Sequence, residues 1–202
     1  MSAMEIRAHL CEVRAAPEGN GLRFEGYAAK FDRWSEDLGG FRERIAPGAF
    51  ARTISEGDAV ALLNHDPNYV LGRARSGTLQ LDEDATGLHF VVDAPDVGWA
   101  RDLRESVRRG DITQCSFAFR PIRQEWKWAN PDSNDLDERT LIEVELDDVS
   151  IVTRPAYPDT EVYARSARDV RDDERQRAIA EAKSVSLNCR RRRLEIKEKT
   201  EF

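Results

Sequence analysis

Three side chains able to do nucleophilic chemistry stand out by position: Ser116, His65 and Asp148. A hydroxyl becomes a nucleophile when a base within hydrogen-bond reach takes its proton and a third group orients that base. The sequence holds three histidines, His9, His65 and His89, so candidates for the base are few. His9 is in phase with Glu5 and Arg7 on the polar side of a predicted strand, and His89 alternates with Leu88 and Phe90 on another. Both read as sheet-surface or edge residues. His65 differs, because the apolar run Ala59-Val60-Ala61-Leu62-Leu63 ends in an Asn64-His65-Asp66-Pro67 turn. A strand end presents its side chain at the mouth of a sheet, although position alone leaves a structural role for His65 open.

Two-residue alternation selects the other two groups. In a strand starting at residue 112, Ile112, Gln114, Ser116, Ala118 and Arg120 share one face, and Thr113, Cys115, Phe117 and Phe119 the other. The phenylalanines belong in a core, so Ser116 is expected to look outward among small and polar neighbours, and Cys115 to be a buried thiol. In a strand starting at residue 140, Ile142, Val144, Leu146 and Asp148 share a face opposite Glu143, Glu145 and Asp147. A carboxylate in phase with three aliphatics needs a partner, because an unpaired buried charge costs several kcal/mol. A histidine N–H would serve. A β-bulge that flips the phase, or a position beyond the buried stretch, is the alternative account of Asp148.

Other chemistries have weaker support. Cys11, Cys115 and Cys189 are far apart with no metal-ligand spacing, which predicts free thiols in a reducing compartment. A metal-dependent hydrolase on His65, Asp66 and His89 would lack compact ligand spacing. No cofactor and no metal are expected.

The elements that must position these residues read as mainly β. With 202 residues, 40% hydrophobic and 34% charged, the chain suits one compact domain plus a polar extension. Segments 5–14 and 22–31 read as strands of a plausible hairpin. Residues 47–54 read as a short helix with Pro47 near its start, and 78–81 with 88–92 make a second hairpin. Residues 96–109 read as a helix with Trp99, Ala100, Leu103 and Val107 on one stripe and Gly110 ending it. Strands at 112–121 and 140–153 flank a polar loop at 129–139. The domain is expected to span 1–165, with a charged tail at 166–202 that is partly helical around 174–183.

The net charge of −7 is unevenly spread: 166–202 carries +3 and 1–165 carries −10. An acidic body argues against nucleic-acid binding, which needs a basic face. The run Arg190-Arg191-Arg192-Arg193 reads as a solvated part of the tail. No apolar run approaches the roughly 18 residues of a membrane span. The first residues lack a leader pattern, so a cytosolic protein is expected.

Ordered motifs add a resemblance. They are Glu25-Gly26-Tyr27-Ala28, Ile45-Ala46-Pro47-Gly48-Ala49-Phe50, Leu62-Leu63-Asn64-His65-Asp66, Leu71-Gly72-Arg73, Gly77-Thr78-Leu79 and Gly87-Leu88. Arg109-Gly110-Asp111-Ile112, Ser116-Phe117-Ala118-Phe119, Asp148-Val149-Ser150-Ile151-Val152 and Pro155-Ala156-Tyr157-Pro158 follow. As an ordered set over about four-fifths of the chain, they resemble the prohead serine proteases of tailed phages, relatives of the herpesvirus assemblins.

The resemblance implies a herpesvirus-protease-like β-barrel, closed or nearly so, ringed by helices in an α+β arrangement. It implies catalytic roles for His65 and Ser116 in a serine endopeptidase that processes the major capsid protein and scaffold polypeptides. The setting would be an assembling procapsid in the host cytoplasm, and a homodimer is compatible with it. Phage members usually carry glutamate at the third position, where this sequence has Asp148, with Asp147 and Glu145 as fallbacks. Arg154 is a candidate oxyanion or substrate contact. The rival reading is a catalytically idle capsid-assembly or scaffold factor on the same fold, against which the Ser116, His65 and Asp148 set argues.

Overall fold

The computed structural model describes residues 4–9, 13–15, 21–130, 135–153 and 171–184. In chain order the elements are β1 (Glu5–His9), β2 (Arg14–Ala15), β3 (Arg23–Lys30), β4 (Phe41–Ile45), α1 (Ala51–Glu56), β5 (Val60–Leu63) and β6 (Asp66–Arg73). They continue as β7 (Leu79–Glu83), β8 (Gly87–Asp93), α2 (Gly98–Arg109), β9 (Gln114–Lys127) and β10 (Asp137–Val152). A further helix, α3, covers 171–184.

The strands pair into two sheets. One runs β1-β9-β10-β5-β6 with β4 also on β10, and the other runs β2-β3-β8-β7. The fold is therefore mainly β with flanking helices. The two sheets pack where β3 meets β9 and β1, and where β6 meets β8. Among the described residues no backbone ladder joins them, so the expected barrel is met as two packed sheets rather than one closed ring. At the β6–β8 contact a Cβ on Gly72 would fall 2.8 Å from the Thr78 carbonyl and against Val92, so only glycine permits this approach. The buried interior between the sheets includes Phe24, Phe50, Phe90, Phe117, Phe119, Leu141 and Ile151.

The α2 helix forms as its spacing predicts. Ala100, Leu103 and Val107 are buried on one stripe. Gly110 adopts φ 80° at the C-terminal end and donates its N–H to the Val107 carbonyl, a left-handed cap that glycine makes at little steric cost.

Two strand expectations need correction. The first hairpin is only partly present: β1 leaves its sequence neighbour and pairs antiparallel with β9, while β2 pairs with β3. The segment read as a loop up to residue 139 already contains the start of β10, which pairs there with β4.

β10 carries most of the architecture. One edge pairs antiparallel with β9 along its length. Its other edge pairs in parallel first with β4, at Asp137–Leu141, and then with β5, at Asp148–Ile151. Between these partners the backbone would be orphaned, and buried unpaired amides are costly. The α1 region fills the gap: Val144 N–H donates to Ala49 O at 2.9 Å, and Thr53 Oγ1 donates to Val144 O at 3.2 Å. Thr53 Oγ1 also accepts from Leu146 N–H at 3.1 Å.

Just beyond this patch the β9–β10 register shifts between Leu146 and Asp148. The buried core side of β10 accordingly passes from Val144 and Leu146 to Val149 and Ile151. This bulge overturns the expected phase of Asp148. Asp148 lies opposite Ala118, on the Ser116 side of the sheet, and not in line with Val144 and Leu146. An earlier register shift between Leu141 and Val144 likewise takes Ile142 off that line, and Leu141 is the core residue there.

Candidate active site

His65 is carried by a tight turn. Leu63 pairs with Asp66, leaving Asn64 and His65 as the two corner residues, at φ 55° and 57°. Consecutive positive φ values are the pattern of a type I′ hairpin turn, which favours Asn at the first corner and glycine at the second. Histidine at the second corner holds strain on the order of 1 kcal/mol, which persists because surrounding contacts over-determine it. Those contacts are specific. Asn64 N–H donates to Ile151 O at 2.9 Å, Asn64 Oδ1 accepts from Thr153 N–H at 2.9 Å, and His65 N–H donates to Ser150 Oγ at 3.2 Å. The turn is thus clamped to the end of β10.

From that anchor the imidazole bridges two strands. His65 Nδ1 lies 2.7 Å from Asp148 Oδ1 on β10, and Nε2 lies 2.7 Å from Ser116 Oγ on β9. An ionised carboxylate only accepts, so Nδ1 carries the proton and Nε2 turns a lone pair toward the hydroxyl. The side chains of His65 and Asp148 retain 17% and 13% exposure, respectively, enough to leave the group at a surface mouth.

Ser116 departs from expectation in one respect. It is on the face predicted, opposite Cys115, Phe117 and Phe119, yet it is fully buried. Its Oγ is closed in by the His65 ring and by the Arg7 carbonyl oxygen on β1, 2.9 Å away. One hydroxyl proton therefore has two acceptors, and the free Nε2 lone pair claims it in the arrangement competent for proton transfer.

β1 is held against Ser116 by a buried ionic cluster that sequence reading missed. Arg139, fully buried on β10, donates to Glu5 through Nη1 and Nη2 at 2.7 and 2.9 Å and to Glu43 on β4 at 2.7 Å. Arg7 donates to the same two carboxylates, at 2.5 Å to Glu5 and 3.0 Å to Glu43. Gln124 accepts from Arg139 Nε at 2.8 Å. Burial alone would raise the Glu5 carboxyl, but the charge of Arg7 and the bonds and charge of Arg139 outweigh it and hold it below the ordinary glutamate value. No signal could have found this cluster in sequence, because Arg139 fell in a stretch that read as a polar loop.

The remaining candidates separate from the site. Asp147, the extra residue of the bulge, pairs with Arg120 at 2.6 Å, and Glu145 is exposed beside the same arginine. His89 is in the other sheet, ring to ring with Tyr27 at 5.2 Å. Asp66 accepts from Asn68 within β6 itself. Among the described residues no group of three His, Cys, Asp or Glu side chains is arranged to hold a metal ion. Arg154, Cys11, Cys189 and Arg190 to Arg193 lie outside the described residues. Cys115 is fully buried in the core. Ser150, which the sequence offered only as part of a motif, is the unforeseen polar neighbour of the group.

Comparison with known proteins places the chain in a family. No curated protein matches the chain. Among solved structures it is similar to the bacteriophage T4 capsid assembly protease, gp21, at 15% identity and a TM-score of 0.44, over 74% of this chain and 95% of that one. The family model described as caudovirus prohead serine protease matches residues 10–174, a span that contains His65, Ser116 and Asp148. With four-fifths of its length so matched, the chain belongs to the caudovirus prohead serine protease family, the phage proteases of capsid maturation.

Proposed function

We propose that this chain is a serine endopeptidase that cleaves scaffold and major capsid proteins in the assembling procapsid, within the host cytoplasm. Ser116 is the nucleophile, His65 the general base and Asp148 the orienting acid. The observation that carries the reading is the unbroken series of 2.7 Å contacts from Asp148 through His65 to Ser116, in a member of the prohead protease family.

In the first half-reaction, His65 Nε2 takes the Ser116 proton as Oγ adds to the scissile carbonyl carbon. Asp148 keeps the imidazole in the productive tautomer and stabilises the imidazolium, itself remaining ionised. Collapse of the tetrahedral adduct breaks the C–N bond, and His65 returns its proton to the leaving amine. The acyl-enzyme is then hydrolysed: His65 deprotonates a water, the hydroxide adds to the ester carbon, and Oγ leaves with the proton from Nε2. The new carboxyl terminus departs.

Co-expression with the capsid and scaffold proteins of the same phage locus, followed by mass spectrometry, tests the proposal. Discrete cleavage products are expected with the wild type and none with Ser116→Ala. Uncleaved substrates in both cases would indicate an assembly factor that does no chemistry.

A further inference from the structure

Beside the three residues already assigned stands a hydroxyl with no assigned part. Ser150 lies two residues after Asp148 on the same side of β10, directly opposite Ser116 in the β9–β10 register. It is 1% exposed. Its Oγ accepts the His65 backbone N–H at 3.2 Å and donates to Asp148 Oδ1 at 2.7 Å. The directions are unambiguous, because an amide N–H can only donate and an ionised carboxylate can only accept.

These bonds close a circuit. Asp148 Oδ1 also accepts His65 Nδ1–H, so the carboxylate grips the imidazole while Ser150 ties that same oxygen to the backbone of the histidine residue. The β5 ladder cannot do this. Its last bond to β10 is Asn64 N–H to Ile151 O, after which the chain turns back through its two positive-φ residues. The His65 amide would be orphaned at the base of the site but for a side chain rising from β10. A single hydroxyl meets both needs, for the turn and for the carboxylate.

We propose that Ser150 is a positioning residue of this protease, acting through Asp148 and His65 to align the imidazole on Ser116. The inference rests on the catalytic reading above. Misplacement of a base by about 1 Å can cost on the order of 100-fold in rate, so loss of the Ser150 hydroxyl is expected to slow Ser116 acylation roughly 10- to 100-fold.

The test is the second-order rate of covalent labelling by a fluorophosphonate, read together with the downfield proton resonance of the His65 Nδ1–H and with the thermal unfolding midpoint. Wild type should label on Ser116 and Ser116→Ala should not. If Ser116→Ala labels equally, or wild type not at all, the catalytic reading itself fails. Given labelling on Ser116, Ser150→Ala is expected to stay folded, label slowly and lose or shift the Nδ1 resonance, with Ser150→Thr restoring both. Wild-type labelling and an unmoved resonance in folded Ser150→Ala would overturn this inference alone. So would folded Ser150→Thr as slow as the alanine variant, since the hydroxyl would then not be the agent. If Ser150→Ala does not fold, Ser150→Cys keeps the volume with a weaker donor; slow labelling supports the role and a wild-type rate refutes it.

Discussion

Thr53 on α1 accepts the backbone N–H of Leu146 on β10 at 3.1 Å, a helix side chain completing a β-ladder. Its hydroxyl proton goes to Val144 O at 3.2 Å. The patch lies immediately before the bulge that turns Asp148 toward His65. Thr53→Val keeps the shape but leaves both buried backbone groups without a partner. We expect a loss of about 1–3 kcal/mol by urea denaturation. Cleavage should also fall, because the bulge loses its support.

Ser116 and Cys115 provide the sharpest contrast on one strand, since adjacent residues face opposite sides of the sheet. Ser116→Ala should fold and cleave nothing. Cys115→Ala removes a sulfur from the core, should cost on the order of 1 kcal/mol of stability, and should keep its activity. A dead Cys115→Ala beside an active Ser116→Ala would reverse the assignment.

The three carboxylates of β10 should separate equally well. Asp148→Asn preserves the shape but favours the wrong imidazole tautomer, so turnover should drop by orders of magnitude, about 10⁴-fold in a comparable triad. Asp148→Glu should be milder. Asp147→Asn breaks only a part-exposed pair with Arg120 and should alter cleavage by no more than a few-fold. Cleavage rates, with circular dichroism to confirm folding, decide among them.

The Glu5–Arg139 pair predicts an acid limit. Glu5 has its carboxyl held below the ordinary value in the folded chain, so the stability it contributes is fully present above the unfolded value of about 4.3 and declines as pH falls through the folded one. Glu5→Gln should lessen the acid sensitivity of the unfolding midpoint while lowering stability at neutral pH. Arg139→Met, which leaves Arg7 as the one cation against two buried carboxylates, should cost about 3–5 kcal/mol at neutral pH. A midpoint unchanged in Arg139→Met would show that the cluster adds little.

The division into a body at 1–165 and a tail at 166–202 is open to limited proteolysis. Within the tail, α3 meets the body through Arg171 donating to Gly39 O at 3.1 Å, Glu174 accepting from Gln124 Nε2 at 3.4 Å and Arg175 paired with Asp137 at 3.8 Å. Apart from the buried Asp137 carboxylate, these are part-exposed polar contacts, which are weak and screened by salt. Added protease should trim the chain first to a core ending at about residues 160–170, and faster at high ionic strength. A tail that resists cleavage under both conditions would refute the division.

Much of the site was legible in the amino-acid order because it depends on local periodicity. Alternation through Cys115, Ser116, Phe117 and Phe119 assigns Ser116 to the face away from the core whatever else packs nearby, and the structure keeps that phase. An apolar run ending in Asn-His-Asp marks His65 as a turn residue, and Ala100, Leu103 and Val107 mark α2. Asp148 was singled out for a reason that did not hold. Its alternation with Val144 and Leu146 is broken by the bulge, and it meets His65 because that break turns it toward Ser116.

What tertiary structure alone decided are the features that need a partner from far along the chain. The bulge lies where α1 has inserted Thr53 between β4 and β5, and strand alternation carries no record of a helix some ninety residues earlier. Ser116 is buried because β1 and the His65 turn close over it. Arg139 is buried because Glu5 and Glu43 arrive from two other strands. A charge or a hydroxyl in sequence reads as a surface residue until its partners are known. Desolvating such a group is unfavourable by itself and becomes tolerable only when the fold supplies those partners.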